Sequence, residues 1–334
     1  MAVTFPDFVD KPGGRGDLDP YGNFAWLRRT APISAVPGPP GSARAWLVTS
    51  YDLAKECLAD PRLSVDPKWS PTPPARPDDR GDPLASDPPL HTRLRRLITP
   101  VFSPGNSAKW RDRIERTCHE LVDGFADKGY AELVSEYCLP IPVAVVHDFI
   151  GVPEEERMAA QECAALFLRA GVVEQSKGGP AKDALIDYVR RVVAARKGVR
   201  GDDVITVLLD GLDRGELHSE AEVEGMLYVL LGAGQISTGP MIASALYRLL
   251  ASGWDGPPDR LDRRAVVTEA LRLDSPVQSS VNRYAVEDLD LGGERVRQGD
   301  IVVVSLAAAN RDPARFAEPD EFRPARTRSN LAFG

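Results

Sequence analysis

Cysteine is scarce in this chain, and the little there is excludes several chemistries. Four occur in 334 residues: Cys57, Cys118, Cys138 and Cys163. Their spacing fits neither a zinc site nor a redox Cys-x-x-Cys pair. Three lie in segments that read as helical and apolar, where a free Cys behaves as a small hydrophobe. All four are therefore assigned to packing. No apolar run reaches the length of a bilayer span. The start, Met1-Ala2-Val3-Thr4-Phe5-Pro6-Asp7, lacks the basic stretch and apolar core of a signal peptide. Basic excess is lacking too. Forty-one Lys and Arg stand against 49 Asp and Glu, a net charge of −8. A general nucleic-acid footprint is excluded on that count. Repeats of fixed period are also missing. The expectation is a soluble cytoplasmic protein with no membrane or nucleic-acid partner.

What is present is a chain long enough to bury a large core, 43% hydrophobic. Its 29 prolines are spread through turns rather than gathered in one tract. A short helix is expected around Tyr21 to Thr30, then a strand over Ala45–Thr49. Ser50 reads as the N-cap of a helix over Tyr51–Ala59. Pro dominates from Asp66 to Pro89, which reads as a long loop. Helical periodicity then predicts helices over Leu90–Phe102, Ser107–Asp127, Pro142–Gly151, Pro153–Arg169, Lys182–Arg196, Asp202–Leu212 and Ser219–Ala251. Residues 254–261 read as a turn-rich break, and Asp262 opens a further helix. Past Pro276, Val281–Ala285, Leu289–Leu291 and Ile301–Val304 read as strands, with Gly292-Gly293 as a hairpin turn. The fold class is mainly α with a small sheet late in the chain, arranged as one domain.

Three constellations carry possible chemistry. Met226 to Ala243 is apolar nearly all round, so it reads as a buried central helix. It nevertheless holds Gly232, Gly234, Gly239 and Pro240. Each Gly costs about 1 kcal/mol against Ala in a helix interior, and Pro about 3. Glycines serve where something flat approaches closely. Pro240 has no N–H, so the carbonyl of Ile236 loses its partner and the helix opens. Ser237 can bond back to the Ala233 carbonyl. A kinked core helix with packing glycines is the plainer alternative. In Asp87-Pro88-Pro89-Leu90-His91-Thr92-Arg93-Leu94-Arg95, His91 and Arg95 share a helix face at i, i+4. They suit a carboxylate ligand, or else belong to an ordinary solvated basic helix. Glu269 and Arg272, at i, i+3, can pair on their helix.

Together these segments resemble the cytochrome P450 family. Glu269-Ala270-Leu271-Arg272 is similar to its Glu-x-x-Arg helix, and Asn330-Leu331-Ala332-Phe333-Gly334 to the opening of its haem loop. The resemblance spans about Gly41 to Gly334 and implies the cytochrome P450 fold with haem b (iron protoporphyrin IX). It gives His91, Arg95 and Arg283 to the haem propionates. It puts Asn330 where many relatives have His, and Phe333 at the start of the haem loop. Arg326 joins Glu269 and Arg272 in a buried triad. In the distal-helix pattern Ala-Gly-x-[Asp/Glu]-Thr-Thr, Ala233 and Gly234 match. Ile236 replaces the acid, Ser237 the first Thr, and Thr238 matches the second. An isoleucine moves no proton, so ordinary hydroxylation must use water and Ser237. The Gly-Ala-Gly-x-Ile-Ser-Thr-Gly pattern looks like that of a cyclodipeptide-coupling P450.

The family's thiolate Cys falls a few residues beyond Gly334, so no metal ligand lies within these residues, nor does the last helix. The intact Leu331-Ala332-Phe333-Gly334 favours a longer protein over two other readings. One is a haem-less helper of the kind that activates a glycosyltransferase; the other is haem bound without thiolate. Without the Cys segment no P450 activity is expected. The resemblance implies a monooxygenase or oxidase acting on a small natural-product intermediate, in the manner of soluble bacterial members. Electrons would come from a ferredoxin and its reductase. Arg93, Arg96, Arg111 and Arg113 could form the basic face that docks an acidic ferredoxin, or be plain surface charge.

Overall fold

The computed structural model describes residues 20–36, 44–73, 81–157, 159, 178–254, 260–326 and 329–334. The chain divides into two compact units, 1–77 with 244–334, and 78–243. Most of the expected helix over Pro153–Arg169, together with Cys163, Gly41 and the centres of the 66–89 and 254–261 segments, lies outside the described residues.

The first unit is built on a five-stranded sheet of order β1-β2-β7-β4-β3. Its strands are β1 (Ile33–Val36), β2 (Ala45–Val48), β3 (Leu63–Ser64), β4 (Arg283–Ala285) and β7 (Ile301–Val304). β2 and β7 pair in parallel, with Trp46 opposite Val302. The other pairs are antiparallel. The sheet is therefore not a late feature, because three strands precede residue 65. β1 and β3 escape a sequence reading because each is too short to show alternation. β5 (Leu289–Leu291) and β6 (Glu294–Val296) form a separate hairpin. Its turn residues Gly292 and Gly293 have φ of +58° and +87°. Two positive φ values in a two-residue turn match the right-handed twist of the strands and suit Gly.

Helix α1 (Pro20–Thr30) precedes the sheet, and α2 (Tyr51–Ala59) follows β2. Trp46, Val48, Ala54, Leu63, Val302 and Phe316 are among the side chains of one core here. The Ser50 side chain makes no capping hydrogen bond. The cap is supplied from far along the chain: Asp312 Oδ2 accepts from the Tyr51 N–H at 2.8 Å.

The second unit is helical. It holds α3 (Leu90–Ile98), α4 (Pro104–Lys109), α5 (Arg111–Ala126), α6 (Pro140–Ile150), α7 (Gly178–Ala195), α8 (Val204–Asp213) and α9 (Glu220–Ile236). α6 is preceded by a π-turn, Val134–Cys138, and ends on Gly151 in the left-handed region at φ +89°. The expected Ser107–Asp127 helix is two helices, parted at Trp110. α7, α8 and α9 share a core with Leu94, Ile150, Tyr188, Ile205, Leu208 and Met226.

The expected single helix over Ser219–Ala251 is interrupted at Ser237 and resumes as α10 (Thr238–Ala251). By length and composition the stretch 220–251 is apolar enough to cross a membrane. The expectation that no such stretch exists is corrected on this point. Charged residues are few within it, and its many Leu, Ala, Ile, Val and Met residues make its mean hydropathy high.

Candidate active site

The first unit brings Glu269, Arg272 and Arg326 together, on α11 (Arg263–Leu273) and the segment after β7. Asp262 caps α11, accepting from the Ala265 N–H at 3.0 Å. Arg272 Nε and Nη2 donate to the two oxygens of Glu269 at 2.9 and 2.8 Å. Arg326 Nε donates to Glu269 Oε1 at 2.8 Å. The backbone N–H of Arg323 adds a fourth bond at 3.0 Å. Glu269 and Arg272 are 3% and 1% exposed. Arg272 also donates to the carbonyls of Asn310, Pro319 and Glu321 and lies over the Phe316 ring. A buried cation is tolerated where every N–H has an acceptor. The arrangement is a brace that holds the 310–326 segment, and nothing in it is open to a ligand.

Asn330 extends the same brace. Its amide nitrogen donates to the Thr268 carbonyl, and its oxygen accepts from the Ala332 N–H. Leu331 N–H donates to the buried Asn310 side chain at 2.7 Å. Phe333 is 88% exposed. Arg283 lies on β4 and donates to the Leu63 carbonyl at 3.1 Å.

In the second unit the centre is the break between α9 and α10. Ser237 Oγ donates to the Ala233 carbonyl at 2.8 Å, and Met241 N–H donates to the Ser237 carbonyl at 3.1 Å. Pro240 explains the opening, since it offers no N–H to Ile236. Val229, Ala233, Ile236 and Pro240 recur at helical spacing, and all four are wholly or partly exposed. They make an apolar stripe left partly uncovered among the described residues, with the Ser237 hydroxyl at its edge.

Gly234 and Gly239 face packed neighbours. A Cβ on Gly234 would lie 2.9 Å from Val146 Cγ2. One on Gly239 would lie 2.7 Å from Leu139 Cδ2 and 3.3 Å from the Cys138 carbonyl. Both therefore permit close packing on α6 and the π-turn before it. Gly234 lies away from Ala233, about 100° further round the helix.

Sequence reasoning missed the pair on that packed side. His147 and Gln235 are 2% and 5% exposed, and their Nε2 atoms are 3.2 Å apart. Burial, with a smaller push from Arg157, lowers the His147 pKa to about 4. A lone His inside the apolar run Pro140–Ile150 was the available signal.

His91 and Arg95 lie on α3 one turn apart. Neither side chain has a hydrogen-bond or ion-pair partner among the described residues. The proposed basic face is thinner than the sequence suggests. Arg93 is engaged by Glu222 and the Glu216 carbonyl, and Arg113 by Asp148. Arg111 is exposed beside Glu115 at 3.7 Å, and Arg96 is exposed. Arg93 in turn holds the Glu222 carboxyl below its usual range. Among the described cysteines, Cys57 and Cys138 are buried and all three are free. Burial pushes the Cys57 thiol up to about 12. No cluster of three or more metal-ligating side chains occurs among the described residues.

One unit thus holds an opened apolar helix, and the other a buried Glu-Arg-Arg brace. The sequence signature described as Cytochrome P450 matches residues 263–330. The chain is 36% identical over 330 residues to cytochrome P450 monooxygenase PikC of Streptomyces venezuelae, covering 95% of this chain and 77% of the relative. It is 33% identical over 322 residues to mycinamicin IV hydroxylase/epoxidase of Micromonospora griseorubida, covering 94% and 81%. The solved structure of CxnD, a cytochrome P450 for C–S bond formation in chuangxinmycin biosynthesis, superposes with a TM-score of 0.81. It is 27% identical, covering 100% of this chain and 83% of that one. The chain belongs to the cytochrome P450 family, with the P450 fold and monooxygenase class. The family's cofactor is haem.

Proposed function

We propose that this chain is part of a haem b P450 of the cytoplasm that oxidises a small natural-product intermediate with dioxygen. Its electrons come from a ferredoxin and ferredoxin reductase. Similarity to biosynthetic hydroxylases and a bond-forming P450 supports the substrate class. Family resemblance alone supports the redox partners, and Arg96 and Arg111 are the exposed cations left for docking an acidic one. Both units then serve a single P450 domain.

The residues present fit the cofactor. His91 and Arg95 offer donors on one helix face with no protein acceptor among the described residues, as a propionate requires. Arg283 serves the second propionate, and Asn330 and Phe333 open the haem loop. The uncovered stripe at Ala233 suits an apolar ring face. Haem supplies the electron transfer and oxygen chemistry when bound; the protein supplies binding, orientation and electrostatics.

The observation that carries the proton path is Ile236 beside Ser237. The Ser237 proton is directed to the Ala233 carbonyl, so its free capacity is as an acceptor. Ile236 offers no proton. Among the described side chains at the opening, no acid stands ready for delivery. Hydroxylation and oxidative coupling each take up two protons per dioxygen, so in either reaction water supplies protons past Ser237. Hydroxylation is supported by the similarity to biosynthetic hydroxylases, and coupling by the similarity to a bond-forming P450.

The test is a reduced, CO-treated sample of a protein that includes the Cys segment. The thiolate-haem spectrum is the expected result; a protein that binds no haem at all would instead be a helper that activates a partner enzyme such as a glycosyltransferase. Product mass separates the reactions. A gain of one oxygen atom marks hydroxylation. A loss of two hydrogens with no oxygen gained marks coupling.

A further inference from the structure

The packed side of α9 carries a polar pair where apolar side chains would suffice. His147 and Gln235 are both nearly inaccessible, and their hydrogen bond joins α6 to α9. Two apolar contacts flank it. Val146 fills the space beside Gly234, and Leu139 with the Cys138 carbonyl closes on Gly239. These three contacts bracket Ser237, the residue at which the helix opens.

Apolar packing tolerates small slides, because its attraction has little direction. A buried hydrogen bond does not, since breaking it strands two desolvated polar groups. A slip of α9 by one residue would turn its side chains by about 100° around the axis. Ser237 would then leave the edge of the uncovered stripe. Asp148, the acid next to His147, is committed to Arg113 and Arg157. It leaves the imidazole to Gln235. With the amide nitrogen donating, Nε2 accepts and Nδ1 carries the ring proton. The depressed pKa of His147 agrees with a neutral acceptor.

We propose that His147 is a positioning residue: through Gln235 it fixes the register of α9 on α6, and so the place where the distal helix opens. It holds the Ser237 hydroxyl and Ala233 carbonyl at the uncovered face without reaching that face itself. The importance of Ser237 to the reaction rests on the P450 reading; the register role does not.

Hydrogen exchange of the full protein, with or without bound haem, tests this without turnover, so its failure is separable from failure of the P450 reading. The variants are His147→Leu, Gln235→Leu, both together, and the exchanged pair His147→Gln with Gln235→His. Each single variant is expected to speed exchange across 233–241 about tenfold, the factor for one lost hydrogen bond. The double variant should match the singles, since either loss already removes the shared bond. The exchanged pair should restore at least part of the protection. α8, in the same unit, should keep its exchange rates throughout. Unchanged exchange across 233–241 would overturn the proposal. So would an equal rise throughout the unit in the singles and the exchanged pair alike. If His147→Leu does not fold, the milder His147→Asn replaces it and is read the same way.

Discussion

Replacing Glu269 by Gln removes one charge from the most enclosed ionic group in the described chain. The carboxylate accepts four hydrogen bonds: two from Arg272, one from Arg326 and one from the Arg323 backbone. Gln keeps one oxygen and turns an NH2 toward guanidinium donors. Arg272, 1% exposed, is left charged without its counter-ion. Breaking a buried pair in this way costs about 3–5 kcal/mol, against a total stability of about 5–15 kcal/mol for a typical protein. Urea unfolding read by Trp46, which is buried in the same unit, measures the loss. A second variant sharpens the test. Apolar replacement of a buried pair is often neutral, yet Glu269→Leu with Arg272→Met should not recover stability here. Arg272 also serves the carbonyls of Asn310, Pro319 and Glu321, and Met would abandon all three. A loss for Glu269→Gln within about 0.5 kcal/mol, the range of ordinary surface changes, would refute the reasoning. A double variant as stable as the parent would refute the bracing role of Arg272.

Two further outcomes follow from the second unit. His147 has a folded pKa of about 4 against an ordinary value of 6.5. Between those values the unfolded chain binds a proton that the folded one refuses, so stability falls as pH drops through that window. The full loss is about 3 kcal/mol. It should disappear in His147→Gln, and identical pH profiles for the two proteins in urea unfolding would contradict it. Glycine substitutions should split by sign. Gly239→Ala drives a methyl against Leu139 and the Cys138 carbonyl and should cost about 1–3 kcal/mol. Gly232→Ala meets only Leu185, at 4.0 Å, and should gain up to about 1 kcal/mol from helix propensity. Thermal midpoints that move the same way would show that the contacts do not govern these sites.

The sequence by itself determined the local events. Pro240 and Ser237 predicted the opening of the distal helix and its back-bonded hydroxyl, because both effects act within one turn. Gly292-Gly293 predicted its hairpin, and Asp262 its cap, for the same reason. Glu269 and Arg272 were legible as a pair at i, i+3, and the family pattern supplied Arg326. Partners far along the chain were decided only by tertiary structure. Asp312, not Ser50, caps α2, because a carboxylate brought from 261 residues away offers a charged acceptor that the Ser hydroxyl does not match. Glu222 and Asp148 claim Arg93 and Arg113, which a charge count had left free. Gly234 reads as a notch in any helix, but periodicity gives only the face it occupies. The packing of α6 decides that Val146 lies there, and leaves the apolar stripe through Ala233 uncovered.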